Sequence, residues 1–212
     1  MQEFECERNR KLAEKVIKGL AARNMEGYFA ETKEEALKIA LGLIPEGSSV
    51  SWGGTFSIAE IGLRDALING NYTVYDRDAK TTPGWRDEVM HKAHDCDFFL
   101  ASSNAITEDG MLVNIDGDGN RVSCIAWGPK NVLMIIGMNK VTKDLDHALY
   151  RARNVAAPIN AQRFDIKTPC KMKGACYDCK SPDTICGQFL ITRHSMRPGR
   201  IKIILVNEVL GF

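Results

Sequence analysis

The segment FFLASSNAITEDGMLVNIDGDGNRV, residues 98–122, combines two structural patterns. Its first four residues are an unbroken apolar run, which is typical of a strand buried on both faces of a parallel sheet. Two further runs, residues 111–115 and 121–127, flank the sequence DGDGN, which favours a tight turn between antiparallel strands. The segment therefore predicts one buried parallel strand followed by a local β-hairpin whose turn is DGDGN.

Apolar runs of strand length alternate with helical patterns in the rest of the chain. Further strands are predicted at residues 28–30, 49–52, 72–75, 132–136 and 201–206. Helices are predicted at residues 4–23, 32–43, 57–68, 85–94 and 142–153. This alternation is typical of an α/β protein whose mostly parallel sheet carries helices on both faces. We expect one domain, residues 1–212, in which residues 1–45 form either a small helical appendage or part of the same core.

The composition excludes several classes of protein. The 28 Lys and Arg residues nearly balance the 27 Asp and Glu residues, which leaves no electrostatic case for binding nucleic acid or an anionic membrane. The first fifteen residues are too charged for a signal peptide, and the longest apolar run, residues 132–138, is too short to span a bilayer. These features predict a cytoplasmic protein whose thiols stay reduced.

Four cysteines occur close together in the predicted loop 168–188, within the sequence CKMKGACYDCKSPDTIC. They are Cys170, Cys176, Cys179 and Cys186. Four thiolates suit either a [4Fe–4S] cluster or a tetrahedral zinc site, and the two-residue gap inside the central pair lets both sulfurs face one centre. The alternatives to a metal site are reduced thiols without a metal, or a redox disulfide between Cys176 and Cys179.

The turn SWGGTFSIAE, residues 51–60, follows a predicted strand and precedes a predicted helix. Ligands of parallel α/β sheets collect at the carboxyl ends of strands, and glycines let the backbone approach them. Gly53, Gly54 and Thr55 are therefore candidates for holding an anion, although the same sequence also suits a tight turn without a ligand. Lys140 follows another buried strand, so it is expected at the same edge as an anion anchor.

Polar residues also follow the strand 98–101. Asn104 and Thr107 are placed to line a cleft, and Glu108 or Asp109 could act as general acid or base. Arg121 could hold a carboxylate or a phosphate. The alternative is that these residues only form turns through their own backbone hydrogen bonds.

Four segments together resemble the LUD-domain family, the group similar to lactate-utilisation protein C. They are VSWGGTFSIAEIGL, FFLASSNAITEDGMLVNIDGDGNR, WGPKNVLMIIGMNKVTKDLDHAL and IKIILVNEVLGF. The resemblance extends from about residue 5 to residue 212, and its NAITEDG…GNR and GP…GMNK blocks are specific to the family. It implies a Rossmann-like fold similar to that of sugar-phosphate deaminases and isomerases and of CoA-transferases, whose ligands are phosphorylated sugars, CoA esters or folates.

The resemblance also implies roles for individual residues. By position, Gly53, Gly54 and Thr55 match the family's anion-holding turn, and Arg121 and Lys140 match its basic partners. The matching acidic loop comprises Asn104, Thr107, Glu108, Asp109 and Gly110.

Some family members act with an iron–sulfur oxidoreductase complex that oxidises L-lactate to pyruvate. The resemblance therefore implies an accessory component of lactate-type utilisation, which binds a small anionic ligand and holds a metal centre on its four clustered cysteines. One alternative is a stand-alone enzyme similar to CoA-transferases or isomerases, with structural zinc. Another is a non-catalytic ligand-binding subunit. The cysteine loop distinguishes this chain from the shorter lactate-utilisation C proteins, and whether the protein is itself an enzyme stays open.

Overall fold

A computed structural model describes residues 3–80 and 82–212 of the protein. The strands in those residues are β1 (Glu26–Ala30), β2 (Ser49–Trp52), β3 (Thr73–Tyr75), β4 (Phe98–Ala101), β5 (Ala105–Thr107), β6 (Leu112–Asp116), β7 (Asn131–Gly137), β8 (Val141–Thr142), β9 (Gln188–Thr192) and β10 (Ile201–Val206). The helices are α1 (Glu3–Ala21), α2 (Lys33–Leu43), α3 (Ser57–Glu60), α4 (Leu63–Asn69), α5 (Trp85–Ala93), α6 (Asn120–Ala126), α7 (Leu145–Arg151), α8 (Ala157–Ala161) and α9 (Pro169–Lys173).

The larger sheet has six strands in the order β1-β10-β7-β4-β2-β3, and every neighbouring pair in it is parallel. The prediction of a mostly parallel sheet is therefore confirmed. The unbroken apolar runs arise because alternate side chains of each central strand enter opposite cores. In β7, for example, Val132 and Met134 pack on one face, whereas Leu133 and Ile135 pack on the other.

Helices cover both faces of this sheet. Buried side chains of α1, α5 and α6 share one core with the sheet, and those of α2, α3 and α4 share the opposite core. The N-terminal helix contributes Ala13, Val16 and Leu20 to the first core, and β1 pairs with β10 along its length. Residues 3–43 are thus integrated into the sheet rather than attached beside it. No helix among the described residues has the length and apolar character needed to cross a membrane.

The position of the predicted hairpin was wrong. The smaller sheet, in the order β8-β5-β6-β9, contains an antiparallel β5–β6 pair whose turn is residues 108–111. Residues 121–127 were predicted as a strand after DGDGN, but all of them except Trp127 lie in the helix α6. Gly119 enters this helix with φ +89°, and its carbonyl accepts the first helical hydrogen bond from the Ser123 amide. Buried residues 121, 122, 124 and 125 follow helical spacing rather than strand alternation.

Two predicted helices are also subdivided. The helix expected at 57–68 is broken at Gly62, whose φ of +76° separates α3 from α4. The helix expected at 142–153 begins later, as α7, and continues through a π-helical turn, Ala152–Ala156, into α8.

Helix α1 packs closely against the β5–β6 turn at a pair of glycines. A Cβ atom added to Gly19 would overlap the backbone of Asp109, and one added to Gly110 would lie 2.6 Å from the Leu20 nitrogen. Only residues without side chains allow this approach between helix and turn.

Substituting Gly19→Ala is expected to destabilise the protein by about 1–3 kcal/mol, because the added methyl group meets backbone atoms that cannot rotate away. The matched control is Gly42→Ala in α2, where the added methyl has no neighbour within 4 Å among the described residues. There the substitution should stabilise the protein by about 0.5 kcal/mol, because alanine has less backbone entropy than glycine in the unfolded chain. Urea denaturation of both variants measures the difference, and equal midpoints would contradict this account.

Candidate functional site

A cavity of about 300 Å³ opens at the carboxyl edge of the large sheet. Its walls include the segments that follow three parallel strands: Gly54–Phe56 after β2, Ser102–Asn104 after β4, and Lys140 after β7. Ligands of open parallel sheets bind at this edge, so the cavity is the candidate functional site.

The cavity is lined by more basic than acidic side chains. The basic ones are Arg77, Arg86, Arg121, Lys140 and Arg163, and the acidic ones are Asp78, Asp116 and Asp118. Two of the carboxylates already have arginine partners, since Asp116 pairs with Arg121 at 3.3 Å and Asp78 pairs with Arg86 at 3.3 Å. The remaining positive charge favours an anionic ligand.

Lys140 has the most unusual environment of these cations. Its side chain is only 3% exposed, and its Nζ atom donates to the hydroxyls of Ser102, at 3.0 Å, and Ser57, at 3.4 Å. Burial lowers the pKa of Lys140 to about 7, the charges of Arg151 and Arg121 lower it as well, and Glu60 opposes them. The amine and ammonium forms therefore coexist near neutral pH.

The turn after β2 contributes unpaired donors. Within the described part of the chain, the amides of Gly54, Thr55 and Phe56 donate no hydrogen bond, and the buried Thr55 hydroxyl has no partner. Buried polar atoms normally have partners, so an unpaired hydroxyl beside a cavity is what a ligand oxygen would satisfy. Gly54 and Thr55 thus line the cavity, and their role in holding an anion stays a prediction.

Gly53 has a different neighbour from the one expected. Its amide donates to the Leu100 carbonyl, and a Cβ atom added there would lie 2.7 Å from Cγ of Arg121. Gly53 therefore provides space for a buried arginine, and it is not among the residues that line the cavity.

Arg121 has a structural role in the wall of the cavity, where its hydrogen bonds hold two segments together. Its side chain is buried, and all five guanidinium N–H groups are used. The acceptors are the Asp116 carboxylate, the side-chain oxygens of Asn104 and Asn114, and the backbone carbonyls of Ser102 and Ile115. This arginine joins the end of β4 to β6 and has no donor left for a ligand.

The acidic loop divides between two places. Asn104 lines the cavity, but Thr107, Glu108, Asp109 and Gly110 do not. The Glu108 carboxylate accepts from Lys15 at 2.5 Å and from Lys143 at 3.1 Å, which lowers its pKa.

The other loop residues pack toward α1. The Thr107 hydroxyl donates to Asp109, whose carboxylate also pairs with Arg23 at 2.5 Å. Both contacts lower the pKa of Asp109. These residues hold the β5–β6 turn against α1. The catalytic role of Glu108 and Asp109 and the ligand-binding role of Thr107 stay predictions, and none of the three lines the cavity.

The four loop cysteines line a second, smaller cavity of about 60 Å³. All four are free, half-buried thiols. Burial, together with the neighbouring Cys170, Cys176 and Cys179, raises the pKa of Cys186 to about 11. Even so, no group of three or more Cys, His, Asp or Glu side chains in residues 3–80 and 82–212 is arranged to hold a metal ion.

The two cavities share a wall. Thr184 and Ile185, inside the cysteine loop, line both of them. The backbone of this loop also approaches the end of β6, where a Cβ on Gly187 would lie 2.5 Å from the Gly117 carbonyl oxygen. The cysteine loop is therefore part of the boundary of the basic cavity.

Sequence reasoning missed several residues that line this cavity. Arg163 stacks over Phe56 at 4.3 Å, and the Phe212 ring lies 5.5 Å from the Phe56 ring. The buried Nε atom of Arg77 has no hydrogen-bond partner in the described part of the chain, although it lies 3.8 Å from the Asp78 carboxylate. None of these carries a local motif, and only the closing residues IKIILVNEVLGF, within the family resemblance, pointed toward this region.

A parallel sheet with helices on both faces and a polar cavity at its carboxyl edge defines the class of Rossmann-like α/β proteins. The LUD domain matches residues 13–206, and the chain belongs to this family. The crystal structure of a DUF162 family protein from Deinococcus radiodurans has a similar fold, with a TM-score of 0.54 and 9% identity. The likeness covers 94% of this chain and 98% of that one, and at this identity it concerns the fold alone. A search of curated proteins found no match.

Proposed function

We propose that this LUD-domain protein binds a small anionic ligand beside Lys140, as an accessory component of lactate-type organic-acid utilisation. The observation that carries the proposal is a buried lysine at the cavity wall whose hydrogen-bond partners are two serine hydroxyls. A buried ammonium is costly without an anion beside it, so a carboxylate or phosphate bound there would supply the missing charge.

The surrounding groups suit the same ligand. The unpaired amides of Gly54 and Thr55 and the unpaired Thr55 hydroxyl are donors that a carboxylate or phosphate oxygen would accept. Arg163 adds positive charge near the Phe56 ring. Because Asp116 pairs with Arg121, this carboxylate of the wall repels an incoming anion less than an unpaired one would.

Calorimetric titration with pyruvate, L-lactate, phosphate and sulfate tests this proposal. We expect saturable binding of at least one of these anions at neutral pH, with affinity that falls as salt is added because the attraction is electrostatic. Failure of all four to bind, under conditions where the protein is folded, would remove the proposed ligand site.

The second part of the proposal is that the cysteine loop holds a metal centre, either a [4Fe–4S] cluster or zinc. Four thiols that share one cavity, on a loop with little regular structure, are a suitable donor set for either. Cys170, Cys176, Cys179 and Cys186 would be the ligands. A cluster would supply electron transfer to an iron–sulfur oxidoreductase partner, whereas zinc would stabilise the fold of the loop.

Anaerobic purification followed by analysis for iron, zinc and acid-labile sulfide tests the metal centre. We expect about four Fe with matching sulfide, or about one Zn, per chain. Cys179→Ser should lose most of this metal, whereas Cys6→Ser, which changes a thiol on α1 outside the loop, should retain it. Metal-free wild-type protein, or equal metal content in the two variants, would refute a four-cysteine centre.

The alternative of a stand-alone transferase with a covalent carboxylate gains no support from Glu108 and Asp109. Their carboxylates are engaged by lysine and arginine side chains away from the residues that line the cavity. Any catalysis in the cavity would therefore use other groups.

A further inference from the structure

We propose that Lys140 is a nucleophile that forms an imine with the carbonyl group of an anionic aldehyde or ketone bound in the cavity. The inference deepens the proposed function and rests on it, because the unpaired donors of Gly54 and Thr55 would hold the ligand's anionic group while the Lys140 amine meets its carbonyl carbon. It adds a covalent step and restricts the ligand to carbonyl compounds that carry a carboxylate or a phosphate.

The first support is the arrangement of polar atoms around the amine. Nζ of Lys140 lies 3.0 Å from the Ser102 hydroxyl and 3.4 Å from the Ser57 hydroxyl, and the two hydroxyls are 3.4 Å apart. We call these three side chains the lysine–serine cluster. Hydroxyls both donate and accept, so they accommodate the neutral amine as well as the ammonium, and they can carry protons to and from it.

The second support is access to the amine. Lys140 and Ser102 both line the cavity, so a ligand there can contact the amine and one of the two hydroxyls. The C-terminal segment also approaches this point, since a Cβ added to Gly211 would lie 3.2 Å from Nζ. Gly211 has φ +54°, and the absence of a side chain at this residue leaves the space beside the amine open.

The third support is that the surroundings favour the uncharged amine, which is the nucleophilic form. Lys140 is desolvated, which is the main cause of its pKa near 7, and Arg151 and Arg121 also disfavour its charged form. Glu60 acts in the opposite direction, and one of its carboxylate oxygens accepts from the Gly211 amide at 2.9 Å. Desolvation combined with neighbouring positive charge is a known way to activate a lysine for imine formation.

Imine formation from the amine and a carbonyl compound needs neither an oxidant nor a reductant. The Nζ lone pair forms a bond to the carbonyl carbon, the C=O π pair moves to oxygen, and a proton passes from nitrogen to that oxygen. A second proton on the hydroxyl lets it leave as one water molecule, which gives a protonated imine. The Ser102 and Ser57 hydroxyls are placed to relay both protons. The imine withdraws electrons from the carbon beside it, so cleavage of an adjacent C–H or C–C bond is the class of reaction it would allow.

Trapping with pyridoxal phosphate and borohydride tests this inference, because the probe combines an aldehyde with a phosphate. At neutral pH we expect a reduced adduct on Lys140, located by peptide mass spectrometry. Pyridoxal, which lacks the phosphate, should label this lysine at least tenfold more slowly. The labelling rate should rise up to about pH 7 and then level off, whereas labelling of an ordinary lysine keeps rising toward its pKa near ~10.4.

Two variants provide the controls. Lys140→Arg keeps a positive charge but lacks the nucleophilic amine, so it should bind sulfate and yet form no adduct at this position. Lys143→Met removes an exposed lysine that pairs with Glu108, and its labelling should match that of the wild type. Adducts confined to other lysines, with Lys140 unmodified, would overturn the inference.

Parallel calorimetry with sulfate separates the two proposals. If sulfate binds and the Lys140 adduct is absent, imine formation is refuted and the anion site stands. If sulfate does not bind and the adduct is also absent, both proposals fail.

Discussion

Replacing Arg121 with methionine is expected to lower the free energy of unfolding by about 3–5 kcal/mol. Methionine fills much of the space but donates no hydrogen bond. It would leave the Asp116 carboxylate and the carbonyls of Ser102 and Ile115 without their guanidinium donors at a buried position. An unpaired buried charge together with unpaired carbonyls is among the most destabilising results of a single substitution.

Urea denaturation of Arg121→Met measures this effect, and Arg86→Met provides the control. Arg86 also lines the cavity, but its side chain is 59% exposed and, among residues 3–80 and 82–212, its ion pair is with Asp78 at 3.3 Å. Exposed ion pairs contribute little to the free energy of unfolding, so Arg86→Met should change it by less than about 1 kcal/mol. If Arg121→Met unfolds at the wild-type midpoint, the hydrogen bonds of the guanidinium do not stabilise the wall of the cavity.

Replacing Lys140 with methionine is expected to weaken anion binding by at least about thirtyfold, because the ligand would lose its buried charged partner. The same change removes a desolvated amine, so the variant should be at least as stable as the wild type. Loss of affinity without loss of stability would distinguish a binding lysine from a structural one.

Calorimetry with sulfate measures this loss, with Lys143→Met as the matched control. Lys143 is three residues away, but its side chain is 65% exposed and pairs with Glu108, outside the cavity. Its removal should change the affinity less than twofold. Equal losses in the two variants would indicate a general charge effect rather than a site at Lys140.

The large sheet was predictable because its central strands are buried on both faces. The apolar runs FFLA, VLMIIG and IKIILV lie between helical segments and were predicted as buried strands. The predicted bounds of each strand agree with the structure within one or two residues. The smaller sheet was harder to predict. Its strand β9, Gln188–Thr192, is half-exposed and follows the cysteine loop, so neither an apolar run nor clear alternation identifies it.

The hairpin was misplaced because two turns compete within residues 108–120. DGDGN is a strong turn signal, but Gly119 there begins a helix, and the weaker turn at residues 108–111 connects the antiparallel strands. Turn composition predicts a change of direction, whereas tertiary packing decides which element follows it.

The candidate site was only partly predictable for a related reason. Gly54, Thr55, Asn104 and Lys140 follow strands and line the cavity, since the carboxyl ends of parallel strands meet there, and their role in binding a ligand stays a prediction. The role of Arg121 depends on acceptors contributed by two other segments of the wall, residues 102–104 and 114–116, and local sequence does not specify that these segments meet the arginine. The engagement of Glu108 by Lys15 likewise depends on where α1 packs.

Proton uptake on sulfate binding tests the central claim, that a ligand anion is bound by Lys140, most directly. Sulfate does not titrate near neutral pH, and Lys140 has a pKa of about 7 that a bound anion should raise. Below pH 7 the ammonium is already present and affinity should be nearly constant. Above pH 7 each binding event must take up a proton, so affinity should fall by up to about tenfold per pH unit.

Calorimetry at pH 8 in two buffers of different ionisation enthalpy gives the number of protons taken up. The account predicts uptake of close to one proton by the wild type and none by Lys140→Met. Binding of sulfate with no proton uptake, and with the same affinity at pH 6.5 and pH 8.5, would contradict it.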